Sequence, residues 1–118
     1  GHDLTICHPE GYELDAKFTQ GARITNDQSE ALQEADFVYV KNWSAFNDYG
    51  KILCTDERWM LTEAHLKNAP EAKVMHCLPV RRNVELSDEI LDGSRSLVQQ
   101  QAFNRIFAAQ AVLSKLLG

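Results

Sequence analysis

The chain has 118 residues, 44% hydrophobic and 25% charged, and its 12 Lys and Arg against 17 Asp and Glu give a net charge of -5. That length suits one domain with one modest core, and the acidic balance is the wrong sign for a general nucleic-acid binder. No apolar run approaches the roughly 20 residues of a membrane-spanning helix, and no signal-peptide pattern is visible.

From the N-terminus, the β-prone run Leu4 to Cys7 ends in a Pro9–Gly11 turn and leads to a short predicted helix near Glu13–Thr19. Ile24 and Thr25 favour a short strand over Arg23–Asp27. Asn26 or Asp27 then caps a helix over Gln28–Ala35. Phe37–Val40 reads as a second, buried strand, followed by a polar loop or broken helix from Ser44 to Lys51. A helix is predicted from Leu61, capped by Thr62 and stopped before Pro70.

"KVMHCL" is the third clear strand, and "SDEILDG" is a helix signature: Ser87 as cap, Asp88 and Glu89 in the first turn, Gly93 past the end. "RSLVQ" reads as a fourth short strand. The last and longest helix is predicted over Ala102–Leu117, with Phe103, Ile106, Phe107, Ala111, Leu113 and Leu117 on one apolar stripe. Strands alternating with helices imply an α/β layered domain with a mostly parallel sheet.

Ligands in such sheets sit at the carboxyl ends of strands. Three loops qualify, and they gather Cys7, His8, Glu10, Lys41, Asn42, Trp43, His76, Cys77, Arg81 and Arg82. The last of these loops, "HCLPVRRNVE", holds a thiol, an imidazole, two guanidiniums and a carboxylate. A phosphatase loop of the Cys-x5-Arg kind is excluded, because Asn83 stands six residues after Cys77 and the loop lacks glycines. A zinc site from Cys7, His8, His76 and Cys77 has the right ligand types. Adjacent strand residues point to opposite faces, however, so each pair supplies only one ligand easily; no metal is expected. No G-x-G-x-x-G follows a strand, which removes a dinucleotide site.

Cys77 as a nucleophile would need a base beside it, and its strand neighbour His76 is badly placed for that role. Arg81, Arg82 and Lys41 can each be read as solvated surface charges, and Arg105 as a structural residue in the first turn of the last helix. The three cysteines, Cys7, Cys54 and Cys77, show no disulfide spacing, which suggests a reducing compartment, the cytoplasm. The residues by themselves stop at an α/β domain with an anion-binding edge.

The ordered set "HPEGYELD" (His8–Asp15), "ADFVYVKNW" (Ala35–Trp43), "HCLPVRRN" (His76–Asn83) and "FNR" (Phe103–Arg105) closely resembles the carbamoyltransferases. The likeness runs through nearly the whole chain, and it is to the C-terminal, amino-acid-binding domain of that family. It implies a three-layer, Rossmann-like sandwich, truncated on its N-terminal side after the family's first strand and helix. Residues 1–118 would then be a single partial domain, without the family's carbamoyl-phosphate-binding domain and its Ser-x-Arg-Thr loop.

Within the family, the chain is most similar to the N-acetylornithine and N-succinylornithine enzymes of arginine biosynthesis. Ornithine enzymes carry an aspartate where this chain has Lys41, and a lysine would repel the free α-ammonium of ornithine. The resemblance implies carbamoyl transfer from carbamoyl phosphate to the δ-amine of N-acetylornithine, with N-succinylornithine or ornithine as alternative acceptors. A non-enzymatic anion- or amino-acid-binding module is the alternative of another class.

By the same likeness, Cys77 and Arg105 are catalytic. Lys41, His76, Cys77, Leu78, Pro79, Arg81, Glu85 and Arg105 bind substrate. The Leu78–Pro79 bond is expected to be cis, with the Leu78 carbonyl aimed into the site. Glu85 stands where some acetylornithine enzymes carry a modified lysine. No cofactor, nucleic-acid or membrane partner is implied; the full-length protein would be a homotrimer, and the isolated chain inactive.

Overall fold

The computed structural model describes residues 2–45, 48 and 56–118. Strand β1 (Thr5–Cys7) pairs in parallel with β2 (Arg23–Thr25), and β3 (Phe37–Val40) pairs in parallel with β4 (Lys73–His76). Parallel neighbours need a crossover between them. The first crossover carries a single-turn 3-10 helix at Ala16–Phe18, where a longer helix near Glu13–Thr19 was expected. Asp15 caps it, accepting the Lys17 N–H. The second crossover carries 3-10 helices at Glu57–Trp59 and His65–Asn68. Cys54 and most of the polar stretch 44–51 fall outside the described residues.

The α/β character and the parallel pairing match the expectation. Among the described residues, however, the strands form two separate two-stranded sheets, β1–β2 and β3–β4. β3 is also less buried than its sequence predicts: Phe37 is 65% exposed and Tyr39 50% exposed. Parallel strands bury both faces only when layers cover both sides, and the described residues cover one.

Helix α1 spans Gln28–Leu32, with the Asp27 side chain accepting the Glu30 N–H as its cap. It ends three residues before the predicted Ala35, because Gln33 is already extended and Glu34 takes a φ of +57°. The helix predicted from Leu61 is displaced. Leu61 instead bridges to Leu86, and Thr62 hydrogen-bonds the His65 ring rather than capping through its side chain.

Helix α2 (Asp88–Asp92) follows the sequence signature: the Ser87 hydroxyl accepts the Ile90 N–H, and Gly93 is the C-cap. "RSLVQ" forms no strand. It contributes one bridge, Ser96 to Val74, before helix α3 (Val98–Leu117) begins four residues earlier than predicted.

The core gathers Leu32, Leu61, Leu66, Ala69, Ala72, Val74, Leu86 and Ile90. Each large aliphatic side chain removed from water contributes roughly 1.5–3 kcal/mol. This core packs β4 against α1, α2 and the 61–72 segment, and so fixes the carboxyl end of β4. The apolar stripe of α3 does not share in it: Phe103, Ile106, Phe107, Leu113 and Leu117 are all more than half exposed.

Candidate functional site at the carboxyl ends of β3 and β4

The register pairs Val40 with His76. One residue further, Lys41 and Cys77 therefore leave their strands level with each other. Lys41 is exposed and Cys77 half-buried. A cation and a thiol thus open the same edge, as the sequence predicts for ligand-binding ends of parallel strands.

Beyond Cys77 the chain turns sharply. The Leu78–Pro79 peptide is cis, as expected, and Leu78 itself has a φ of +55°. A branched residue in the left-handed region persists only where its surroundings hold it there. Part of that hold is the Leu78 N–H, which donates to Nδ1 of His76 at 2.9 Å.

His76 was expected to touch substrate; the structure buries it to 1% exposure. Its backbone N–H donates to Gln101 Oε1 at 3.1 Å, and Gln101 Nε2 donates to the Tyr39 hydroxyl at 3.2 Å. Gln101 thereby ties α3 to both strand ends, a role no motif in the sequence announces. Burial pushes the His76 imidazole below the ordinary histidine range; the Glu85 carboxylate opposes this shift and Lys41 adds to it. Nε2 of His76 is buried with no partner among the described residues, an omission that costs roughly 1–3 kcal/mol.

After the proline, Arg81 and Glu85 form a closed pair. Glu85 is fully buried. Its Oε2 accepts the Arg81 backbone N–H at 2.9 Å, and its Oε1 accepts Nε at 2.6 Å and lies 2.5 Å from Nη2. Glu85 therefore does not face open solvent as a ligand contact. It fixes both the backbone and the guanidinium of Arg81, whose side chain is 42% exposed and keeps Nη donors for a second anion.

Arg82 points elsewhere. It binds Asp88 at 2.7 Å and Asp92 at 2.7–2.8 Å, while Asn83 exchanges hydrogen bonds with Asp88. Arg82 thus clips the turn to α2.

Arg105 is exposed on α3. Because the helix starts at Val98, Arg105 sits about 10 Å along it at 1.5 Å per residue, not in its first turn. It is one turn beyond Gln101 and on the same face. A cleft of about 520 Å³ lies behind the turn, lined by Leu78, Val80, Leu91, Val98 and Gln99 among others. It includes none of Lys41, Cys77, Arg81 or Arg105.

The loop after β1 closes on its own neighbours: Asn26 Nδ2 donates to the His8 carbonyl at 2.7 Å. Burial, then the Asp27 and Glu30 carboxylates, push the Cys7 thiol up to about 11, so it stays protonated and inert near neutrality. Among the described residues, no group of three His, Cys, Asp or Glu side chains could hold a metal. No described helix is long and apolar enough to cross a membrane.

Fold and edge together define an α/β domain that presents cations and a turned backbone at the ends of parallel strands. The family described as "Aspartate/ornithine carbamoyltransferase, Asp/Orn binding domain" matches residues 1–116, and the chain belongs to it. The N-succinylornithine carbamoyltransferase of Bacteroides fragilis (strain 638R) is 44% identical over 118 residues, covering 98% of this chain and 37% of the relative. The ornithine carbamoyltransferase of Methanosarcina mazei is 34% identical, over 99% of this chain and 42% of its own length. A crystal structure of acetylornithine transcarbamylase complexed with acetylcitrulline superimposes with a TM-score of 0.87 at 26% identity, over 100% of this chain and 41% of that one. The chain therefore spans well under half the length of the relatives it matches.

Proposed function

We propose that these 118 residues are one partial, amino-acid-binding domain of a carbamoyltransferase that moves the carbamoyl group of carbamoyl phosphate to the δ-amine of an N-acylated ornithine, a step of arginine biosynthesis. The observation that carries this reading is the level placement of Lys41 and Cys77 at the carboxyl ends of β3 and β4, with Arg81, four residues on from Cys77, held by Glu85. An acylated α-amine is neutral, so the acceptor brings carboxylate charge that Lys41 and Arg81 attract. A free α-ammonium would meet the like charge of Lys41.

In the reaction, the deprotonated δ-amine attacks the carbamoyl carbon, the tetrahedral intermediate collapses and phosphate leaves. Catalysis is positioning and electrostatic stabilisation. Cys77 and the Leu78 carbonyl border the carbamoyl group, Pro79 shapes the turn, and Arg105 binds the carbamoyl oxygen or the phosphate side. Glu85 and His76 act from behind these groups.

N-acetylornithine is the first expectation from the residues. Relatives named for N-succinylornithine, at 44% and 41% identity, put the succinyl form ahead of it. The free thiols of Cys7 and Cys77 suit the cytoplasm, and a homotrimer is the assembly that the family resemblance implies.

The test is an assay of the full-length protein containing this chain, with carbamoyl phosphate and three acceptors. N-succinylornithine turns over fastest, N-acetylornithine more slowly and ornithine least. Ornithine as the best acceptor would overturn the charge argument. So would a Lys41→Asp variant that kept full acylornithine turnover.

A further inference from the structure

Buried His76 is left unexplained by substrate contact, because no face of it is open to a ligand. It uses one ring nitrogen and leaves the other without a partner among the described residues. A side chain that served only as core filler would do better as a leucine, which has no polar atom to strand. Among the described residues, the imidazole ring's own hydrogen bond runs to the N–H of Leu78, the residue held at a φ of +55°. That N–H can only donate, so Nδ1 must carry the lone pair, and in the neutral ring the proton sits on the buried Nε2.

We propose that His76 is a positioning residue for carbamoyl transfer: as the neutral Nε2–H imidazole, its Nδ1 holds the Leu78 N–H and so keeps the Leu78 carbonyl aimed at the carbamoyl group. This rests on the functional reading given above. The bond has a built-in failure. A protonated imidazole places a donor on Nδ1 against the donor of Leu78, and the turn loses its inner anchor. The charged groups that act on the ring are Glu85 across the turn, which favours its protonation, and Lys41 at the end of β3, which opposes it. From α3, the neutral Gln101 accepts the His76 backbone N–H.

Two measurements on the full-length protein test this. In a 15N-histidine spectrum near neutral pH, with the signal assigned by its loss in a His76 variant, His76 shows the Nε2–H tautomer. An Nδ1–H or doubly protonated ring there, in an enzyme with full turnover, overturns the proposal and leaves the functional reading intact. Loss of turnover with every acceptor in the wild type overturns that reading and, with it, the catalytic part of this one.

The second measurement is a pH–rate profile of three variants. His76→Asn carries its carbonyl oxygen the same number of bonds from the backbone as Nδ1 and cannot gain a proton. It keeps kcat within about threefold and loses an acid limb that lies below the ordinary histidine range. His76→Gln reaches to the Nε2 position and His76→Leu has no acceptor; both lose about tenfold or more in kcat, with KM for the acylated acceptor little changed. An Asn variant as impaired as the Leu variant, with its acid limb intact, overturns the proposal.

Discussion

The paired arginines of the turn look equivalent in the sequence and do different work. Arg81 is part-exposed and braced by buried Glu85, while Arg82 is spent on Asp88 and Asp92. Hydrogen bonds from Arg82 hold both aspartates below the ordinary carboxylate range. A carboxyl that is more acidic when folded contributes stability that is complete above its unfolded pKa, about 3.9 for aspartate. That contribution is lost as pH falls through the lower folded value, because the unfolded chain then binds the proton first. Arg82→Met should therefore lower the urea midpoint at pH 7 by a small amount, since these groups are solvent-screened, and the gap between wild type and variant should close towards pH 2. A gap that widens in acid would show that Arg82 acts by another route. The place of Lys41 and Cys77 at the ends of β3 and β4 was legible because strand ends are local signals. The bracing by Glu85 and the tie through Gln101 depend on contacts 4 and 25 residues away, and only the folded chain supplies these.

Among the elements, α2 was readable to the residue, because its cap, its first-turn acids and its glycine are all local chemistry. Gly93 is needed for a reason that the signature did not contain. Its φ of -81° is open to any residue, but an added Cβ would lie 2.5 Å from the Glu89 carbonyl oxygen. Gly93→Ala must push backbone against backbone at the helix end. It should cost about 1–3 kcal/mol, the scale of an overpacked site, read as a lower thermal midpoint; an unchanged midpoint would mean that the α2 terminus yields freely. The 61–69 segment and "RSLVQ" were misread for the opposite reason. Their propensities are those of a helix and a strand, but Leu61 and Ser96 are taken up as single bridges to Leu86 and Val74. Tertiary pairing overrides weak local preference in such short pieces.

At the scale of the whole molecule, the candidate site is open. Lys41, Pro79, Arg81 and Arg105 are all exposed, and the α3 stripe and the Phe37–Tyr39 face meet solvent instead of protein. The cations of such an edge are screened by water, where two unit charges at 4 Å are worth about 1 kcal/mol, against about 4 kcal/mol at a protein surface of intermediate dielectric. Transition-state stabilisation needs donors that are pre-oriented and shielded. The 118-residue chain assayed alone should therefore give no citrulline-type product from carbamoyl phosphate and N-succinyl- or N-acetylornithine, under conditions in which the full-length protein turns over. Product formation by the chain alone, at a rate that scales with its concentration and vanishes in an Arg105→Ala variant, would mean that Lys41, Cys77, Arg81 and Arg105 already suffice for transfer. Solvent screening at this open edge would then be no bar to transfer.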